Sequence, residues 1–358
     1  MLRDGAARFV RENYGFEARR ALAKSALGFS RQHWQTYAEL GWLALGLPED
    51  AGGLGCPFSD STVLLEELGR GLALEPFVST AVLCARILDR CDNVEARSRL
   101  LSEVAAGGTI LALAHDEPGQ RFKIDRAHVS ARPVADGFWL DGDKVLAIDG
   151  QAADRFIVSA TVVGERLPSL FVISREAAGL ALEAYRLIDG SGAVDLRLHD
   201  VAAVRLTESG NTVTILEEAF DAETVARIAE AIGAMEAVMA MTAEYIKTRV
   251  QFGQPIGKFQ ALQHRMSEMF VEVEKSRSSL FRALAYLDAE PANRKAAVSS
   301  AKLAVADATK FVGAQGIQLH GGIGMTEEYS IGHYFKKLIA FEKIHGDSDW
   351  HLTRLVTP

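Results

Sequence analysis

Two short segments of this chain combine residue types that can hold a phosphorylated ligand. The first segment, Arg249–Ile256, reads Arg-Val-Gln-Phe-Gly-Gln-Pro-Ile and places a cation, an amide and an aromatic ring at the expected end of a helix. An arginine fork binds pyrophosphate oxygens through charge-assisted hydrogen bonds, and the ring of Phe252 offers a surface for an adenine. The same residues also fit a plain helix end at which Arg249 complements the helix dipole.

The second segment is glycine-rich and follows another predicted helix. It reads Gln318-Leu319-His320-Gly321-Gly322-Ile323-Gly324. Glycines in this place either end a helix in a left-handed turn or allow a ligand to approach the backbone closely. Both interpretations remain open for this segment when it is taken alone.

The elements that must position these segments follow a clear order along the chain. The first hundred residues carry apolar residues at helical spacing, most clearly at Ala6–Asn13, Ser30–Gly41 and Ser59–Leu72. From about Thr109 short β-rich runs predict an antiparallel barrel or sandwich. These runs are Thr109–Ala114, His128–Arg132, Phe138–Leu140, Lys144–Ile148, Phe156–Ala160, Leu170–Ser174 and Val194–Leu198, separated by the turn pairs Asp136-Gly137, Asp141-Gly142, Asp149-Gly150 and Asp189-Gly190.

The helical period returns after about Asn211 and continues to the end of the chain. Four helices with short links predict an up-and-down bundle. They run from about Val225 to Arg249, Phe259 to Leu287, Arg294 to Leu319 and Glu327 to Ile344. The sequence therefore predicts an N-terminal helical domain at 1–108, a middle β domain at 109–212 and a C-terminal four-helix bundle at 213–358.

Composition restricts the classes of function. The net charge of −8 over 358 residues argues against nucleic acid and anionic membranes as general partners. Cys56, Cys84 and Cys91 have no metal-ligand spacing, so we expect no metal site and reduced thiols in a cytoplasmic protein. No apolar run approaches the length of a membrane span, and residues 1–5 carry no export signal.

Together, and in this order on a C-terminal bundle, the two segments resemble the acyl-CoA dehydrogenase family. The resemblance covers nearly the whole chain. It also rests on Leu45–Glu49 with Gly52–Gly55, on Leu111–Pro118 in the place of the family's flavin-contacting Thr-Glu-Pro strand, on Tyr245–Met269, and on Gly332–Lys337 with Gly346–Asp349. Within the family the chain is most similar to the subfamily of the pimeloyl-CoA dehydrogenase small subunit, from heteromeric bacterial enzymes.

The resemblance implies an α+β protein with the acyl-CoA dehydrogenase fold: N-terminal helices, a middle antiparallel β domain and a C-terminal four-helix bundle. It implies FAD, with the flavin ring in the middle domain of one subunit and the adenosine end against the bundle of its neighbour. The positions matching that end are Arg249, Gln251, Phe252, Gln318, Gly321 and Gly322. The implied reaction is α,β-desaturation of an acyl-CoA, in which a carboxylate removes the α-proton and the flavin accepts the β-hydride.

The chain departs from the family pattern where its own flavin and base belong. His345 stands in the place of the usual catalytic Glu, either as an unusual base or as a residue without a catalytic role. Asp116 replaces the threonine of Thr-Glu-Pro, and its charge opposes an anionic reduced flavin. The family's Trp-Ile-Thr is Leu146-Ala147-Ile148 here, so an aromatic ring and a hydroxyl have become aliphatic.

Some family members place the base near the start of the first bundle helix, and Glu223 corresponds to that position. An acidic residue in the first turn of a helix is also the ordinary complement of the helix dipole. Both interpretations stay open for Glu223.

Three functions are compatible with this sequence. The chain is a partner subunit that completes the FAD site of a larger catalytic acyl-CoA dehydrogenase subunit in an α2β2 heterotetramer, with electron-transfer flavoprotein as electron acceptor. Alternatively, it is a self-sufficient homo-oligomer that uses Glu223 or His345, or a non-catalytic scaffold or binding protein. The subfamily resemblance implies a dicarboxylyl-CoA such as pimeloyl-CoA as the acyl-CoA substrate. A steroid-derived CoA ester is the second candidate.

Overall fold

The computed structural model describes residues 1–356 and divides the chain into two compact units. The first unit contains Met1–Arg20, Thr62–Ala73 and the chain from Thr224 onward. The second contains Ala21–Ser61 and Leu74–Glu223. The last two residues of the predicted 213–358 domain lie outside the described residues, and the three predicted domain boundaries stay a prediction.

The N-terminal third is helical, as the sequence predicts. Its helices are α1 Leu2–Asn13, α2 Phe16–Lys24, α3 Arg31–Glu39, α4 Phe58–Arg70, α5 Ala85–Asp89 and α6 Val94–Ala105, with a π-helix at Val78–Cys84 before α5. The three helices placed from apolar spacing correspond to α1, α3 and α4. The side chains of Ser30 and Asn93 cap α3 and α6 by accepting a backbone N–H three residues on.

Seven strands form the β part of the second unit. They are β1 Leu111–Ala114, β2 Ser130–Val134, β3 Gly137–Ile148, β4 Arg155–Val162, β5 Ser169–Ser174, β6 Leu180–Arg186 and β7 Gly192–Arg205. The pairings run β4-β2-β3-β7-β5 and back to β4, so the sheet closes on itself around an apolar core. Strand β1 adds to β4 and β6 adds to β7. The sequence predicts an antiparallel domain, and five of the seven pairings are antiparallel. The exceptions are β1–β4 and β2–β4, which are parallel.

Two predicted strands are one strand in the structure. Phe138–Leu140 and Lys144–Ile148 both belong to β3, and Asp141-Gly142 is not a turn. The register of β3 against β7 shifts at this point, and Gly142 has a φ of 136°. Glycine at such a φ allows a bulge that bends the strand without reversing it, which explains why the turn signal misled.

The C-terminal part has one helix more than predicted, and its first helix begins earlier than predicted. They are α7 Ser209–Thr248, α8 Gln260–Tyr286, α9 Pro291–His320, α10 Ile331–Lys343 and α11 Ser348–Val356. The four predicted helices match α7 to α10, and α11 is the addition. After α10 the chain turns at His345 and Gly346, with φ values of 48° and 110°.

Helices α4 and α7 approach closely in the first unit because glycine faces backbone on both. A Cβ at Gly233 would lie 1.8 Å from the backbone oxygen of Glu66, and one at Gly69 would lie 2.1 Å from that of Glu230. Helix α8 buries one seam at a spacing of three and four residues. The buried residues of that seam are Met269, Val273, Ser276, Leu280, Ala283 and Leu287.

Candidate functional site: an open cleft at the ends of two bundle helices

The two segments singled out from the sequence meet in one cleft of the first unit. The cleft has a volume of about 680 Å³. Its lining comprises Tyr245, Arg249, Gln251, Ile256, Leu262, Arg265, Gln318, Leu319, His320, Gly321, Gly322 and Ile323. Five of the six predicted cofactor contacts are among these residues. The sixth, Phe252, is 89% exposed, and its ring centroid lies 6.1 Å from that of Phe259.

A tight hairpin places the Arg249 wall of the cleft. Helix α7 ends at Thr248, and β8 Val250–Gln251 pairs with β9 Gln254–Pro255. The two central residues, Phe252 and Gly253, both have positive φ (52° and 78°), as a type I′ turn requires. The N–H of Ile256 donates to the carbonyl of Arg249 at 2.9 Å and fixes the hairpin to the helix end.

The opposite wall is the end of α9. Gly321 has a φ of 63°, and a Cβ at Gly321 or Gly322 would meet nothing within 4 Å. The backbone at both positions therefore borders open space, which leaves room for a ligand against the main chain.

The charge of the cleft favours an anion. Arg249 and Arg265 supply two guanidinium groups, and no carboxylate is among the residues that line the cleft. Arg265 donates to Gln315 Oε1 at 3.1 Å. The Arg249 side chain has no hydrogen bond or ion pair within residues 1–356, so its donors are available to a ligand.

The sequence analysis did not predict an aromatic cluster at the cleft, two members of which, Tyr245 and His320, line it. His320 is buried and its ring stacks on that of Tyr245, with centroids 4.6 Å apart and planes 28° apart. The ring of Tyr329 lies 5.1 Å from His320 on a tilted plane. The four-residue step from Tyr245 to Arg249 puts both on one side of α7, which is the signal that could have linked Tyr245 to the cleft.

The positions that correspond to the family's flavin-ring contacts lie in the second unit. The N–H of Val145 donates to the carbonyl of Asp116 at 2.9 Å, which joins the Asp116 segment to β3. Leu146 is 40% exposed with a φ of 55°, and its N–H donates to Asp195 Oδ1 at 2.9 Å. Ile148 is half-buried. These positions offer neither the indole nor the hydroxyl of the family motif.

Beside these positions lies a buried ion pair. Lys144 is fully buried, and its Nζ donates to Glu117 Oε1 at 2.6 Å, to Ser159 Oγ at 2.9 Å and to the His115 carbonyl at 3.0 Å. Burial lowers the pKa of Lys144 to about 8, although the Glu117 carboxylate favours its charged form. Lys144 shares the inward side of β3 with Leu140, and alternation along the strand could have shown this.

Neither of the two candidate bases is among the residues that line the cleft. His345 follows α10, is half-buried and has a φ of 48°. Glu223 is 1% exposed and lies well inside α7, which begins at Ser209. The interpretation of Glu223 as a first-turn dipole partner is therefore wrong, because the helix starts earlier than the apolar period showed. Burial raises the pKa of Cys84, and the charges of Glu223 and Asp149 add to this shift, so these three groups are neighbours.

One group of exposed residues in the second unit has the composition of a metal site. Ligand atoms of Asp141, His199 and Asp200 lie within 4.8 Å of one another. Arg132 forms ion pairs with both carboxylates and so occupies them in place of a metal ion.

Both ends of this chain match models of one protein family. Residues 1–108 match the family model of the acyl-CoA dehydrogenase N-terminal domain, and residues 211–356 match that of the C-terminal domain. The chain is 31% identical to the acyl-CoA dehydrogenase IpdE2 of Mycobacterium tuberculosis over 338 residues, which are 94% of this chain and 89% of the relative.

Two solved structures are similar over their full length. A variant of the steroid ACAD Tcur3481-Tcur3483 is 30% identical with a TM-score of 0.89, covering 99% of this chain and 95% of that chain. The ChsE4-ChsE5 complex from Mycobacterium tuberculosis is 27% identical with a TM-score of 0.89, and the match covers 100% of this chain and 97% of that chain.

Fold and comparisons define an FAD-dependent oxidoreductase that acts on the CH–CH bond of acyl-CoA thioesters. The chain belongs to the acyl-CoA dehydrogenase family. The predicted family, fold plan and FAD cofactor are thereby confirmed, whereas the similarity to the pimeloyl-CoA dehydrogenase small subunit stays a prediction. Within residues 1–356 no helix is both long and apolar enough to cross a membrane.

The residues present fit one end of FAD better than the other. The cleft combines two guanidinium groups, the amides of Gln251 and Gln318 and an open glycine turn, a donor set that suits a pyrophosphate and a nucleoside. The positions Asp116, Leu146 and Ile148 offer a carboxylate and two aliphatic side chains to a flavin ring. The binding roles of individual residues stay a prediction.

Proposed function

We propose that this chain is the partner subunit of a heteromeric FAD-dependent acyl-CoA dehydrogenase. Its cleft binds the adenosine-pyrophosphate end of an FAD whose flavin ring lies in a larger catalytic subunit. The observation that supports this most is the contrast between a complete donor set around Arg249 and the aliphatic residues Leu146 and Ile148 at the ring positions.

The roles of this chain's residues follow from their chemistry. Bound FAD accepts the hydride that leaves the β-carbon of the acyl-CoA. Arg249 supplies a charged fork to pyrophosphate oxygens, Gln251 and Gln318 add neutral donors, and Gly321 and Gly322 leave the backbone open to the ligand. Because the cleft is open at the surface, a second subunit is needed to exclude water from the cofactor.

An exposed apolar face of α8 is consistent with such an assembly. Opposite its buried seam, Phe270, Val271 and Phe281 are 55%, 52% and 60% exposed. An exposed group of large apolar side chains on one helix face is typical of a protein–protein contact surface. We assign this face to contact with the partner subunits of an α2β2 heterotetramer.

The comparisons also bear on the substrate and the electron acceptor. One similar structure is that of a steroid ACAD, at 30% identity over 99% of this chain. A steroid-derived CoA ester is therefore the substrate that we favour over a dicarboxylyl-CoA such as pimeloyl-CoA. Electron-transfer flavoprotein is the proposed acceptor of the electrons.

Replacing Arg249 tests the proposal. The change Arg249→Ala removes charge-assisted hydrogen bonds worth about 1.5–3 kcal/mol, so FAD should bind the assembled heteromer about 10- to 150-fold more weakly. The matched control is Lys247→Ala, which removes an exposed cation at the same helix end that does not line the cleft. FAD affinity is measured by fluorescence titration of the apo-heteromer. Equal affinity in both variants would contradict the proposed role of the cleft.

A second function, a self-sufficient homo-oligomer, is favoured by one observation. Glu223 is a deeply buried carboxylate in the unit that also contains Leu146 and Ile148, and its charge, like that of Asp149, raises the pKa of Cys84. If Glu223 or His345 were the base, the chain purified alone would carry FAD that is bleached by an acyl-CoA, and Glu223→Gln or His345→Ala would abolish bleaching. Under the proposed function the chain alone does not bleach, and both variants leave the heteromer's turnover within about threefold, below 1 kcal/mol in barrier height.

A further inference from the structure

The Arg249–Gly322 cleft is lined by a histidine with one ring nitrogen that has no partner. His320 is 2% exposed and is the last residue of α9. Its Nδ1 lies 2.7 Å from the carbonyl oxygen of Gly316. Because a carbonyl oxygen only accepts, Nδ1 carries the proton and Nε2 presents a lone pair.

The lone pair is buried. Nε2 has no hydrogen-bond partner within residues 1–356. A buried polar atom without a partner is costly, and native proteins keep such atoms where a ligand or water completes them. Burial lowers the pKa of His320 below its usual value, against the opposing effect of the Gly316 hydrogen bond, so the ring is neutral at pH 7 and Nε2 can only accept.

The surroundings of His320 indicate the ligand. The rings of Tyr245 and Tyr329 hold the imidazole in place, and Tyr245 itself lines the cleft. Arg249 and Arg265 provide only donors, which suit phosphate oxygens. An acceptor beneath this cationic cleft suits the part of a nucleotide that donates, which is a ribose hydroxyl or the adenine amino group.

We propose that His320 Nε2 accepts a hydrogen bond from the adenosine of the bound dinucleotide and positions it in the cleft. This rests on the proposed function, in which the cleft binds the adenosine-pyrophosphate end of FAD. His320 is a positioning residue, because it contacts the part of the cofactor that does not react.

The test uses ADP as the probe of the adenosine end and the full chain as the protein. Binding of ADP, 2′-deoxy-ADP, 3′-deoxy-ADP and inosine diphosphate is measured by titration calorimetry. The wild-type chain should bind ADP about 3- to 10-fold more tightly than the analogue that lacks the donor, as expected for one neutral hydrogen bond. The analogue that loses affinity identifies the donor as the 2′-hydroxyl, the 3′-hydroxyl or the amino group.

The variant His320→Phe keeps an aromatic ring between Tyr245 and Tyr329 and removes Nε2. It should bind all four nucleotides equally, whereas Arg249→Ala should weaken all four and keep the wild-type preference. Equal binding of all four by the wild-type chain overturns the inference without any variant, and so does an unchanged preference in His320→Phe. Absence of any ADP binding overturns the proposed function of the cleft as well, so the two failures are distinguishable.

Discussion

The buried pair Lys144–Glu117 gives the sharpest prediction about stability. Replacing Lys144 by Met keeps much of the side chain's volume and removes the cation. Glu117, of which 2% of the side chain is exposed, then keeps the N–H groups of His128 and Val129 and the exposed imidazole of His128, 3.1 Å from its Oε2, but no buried cation. An uncompensated buried charge of this kind costs about 3–5 kcal/mol.

The double variant separates the charge from the packing. In Lys144→Met with Glu117→Gln no charge remains, and replacing a whole buried ion pair is often nearly neutral. We therefore expect the double variant to recover most of the loss. The matched control, Lys123→Met, makes the same change at an exposed lysine of the same unit and should stay within about 0.5 kcal/mol of the wild type.

Urea unfolding at pH 7, followed by circular dichroism, measures these differences. A loss below about 1 kcal/mol in Lys144→Met, or a double variant no more stable than the single one, would refute the role given to the pair. Burial raises the pKa of Glu117, but the charge and hydrogen bond of Lys144 and the two N–H donors outweigh it, so this pKa lies below its usual value. The stabilisation is then present above the ordinary glutamate pKa, and the wild type should lose it as the pH falls through and below that value.

Three further predictions concern the first unit. Gly233→Ala should destabilise by more than about 2 kcal/mol in urea unfolding, because its Cβ would lie 1.8 Å from the Glu66 backbone oxygen; a neutral result would contradict the close helix approach. Arg277→Met should cost about 1.5–3 kcal/mol, because Glu66 and Glu236 lose a charged hydrogen bond but keep their ion pairs with Arg3 and Arg70, and a loss no larger than that of an exposed arginine would count against the network. Burial lowers the pKa of His351 to about 3. As the pH falls, the imidazole of the unfolded chain is therefore protonated before that of the folded chain. Stability should drop between pH 6.5 and 5 by about 2 kcal/mol more in the wild type than in His351→Gln, and equal drops would refute it.

Much of the fold was accessible from the sequence because periodicity reports burial. The apolar spacing of α8 and α9 predicted both helices to within a few residues, and the β-rich runs Phe156–Ala160 and Leu170–Ser174 predicted β4 and β5. The turn signal at Asp141-Gly142 failed because glycine serves bulges as well as turns. The parallel pairings of β4 were not predictable, since strand order depends on contacts between distant segments.

The candidate site was predictable where residues are close in sequence. Arg249 and Gln251 were singled out because they share one short segment at a predicted helix end. Gln318 and Gly322 were singled out because they share one glycine-rich segment. The unpartnered Nε2 of His320 required the structure, because it depends on the tautomer fixed by Gly316 and on burial. The helical period returns near Asn211, close to the observed start of α7 at Ser209. The predicted helix was counted only from Val225, where its apolar residues become regular, and this placed Glu223 at a helix start.

The central claim is that the FAD held by this chain reacts in a neighbouring subunit. Co-purification with a larger acyl-CoA dehydrogenase subunit, followed by counting of FAD per heteromer, tests it most directly. We predict one FAD for each pair of unlike subunits, bound more weakly when Arg249 of this chain is replaced by Ala. Two FAD molecules per pair, or a full complement of FAD on this chain purified alone, would contradict the account.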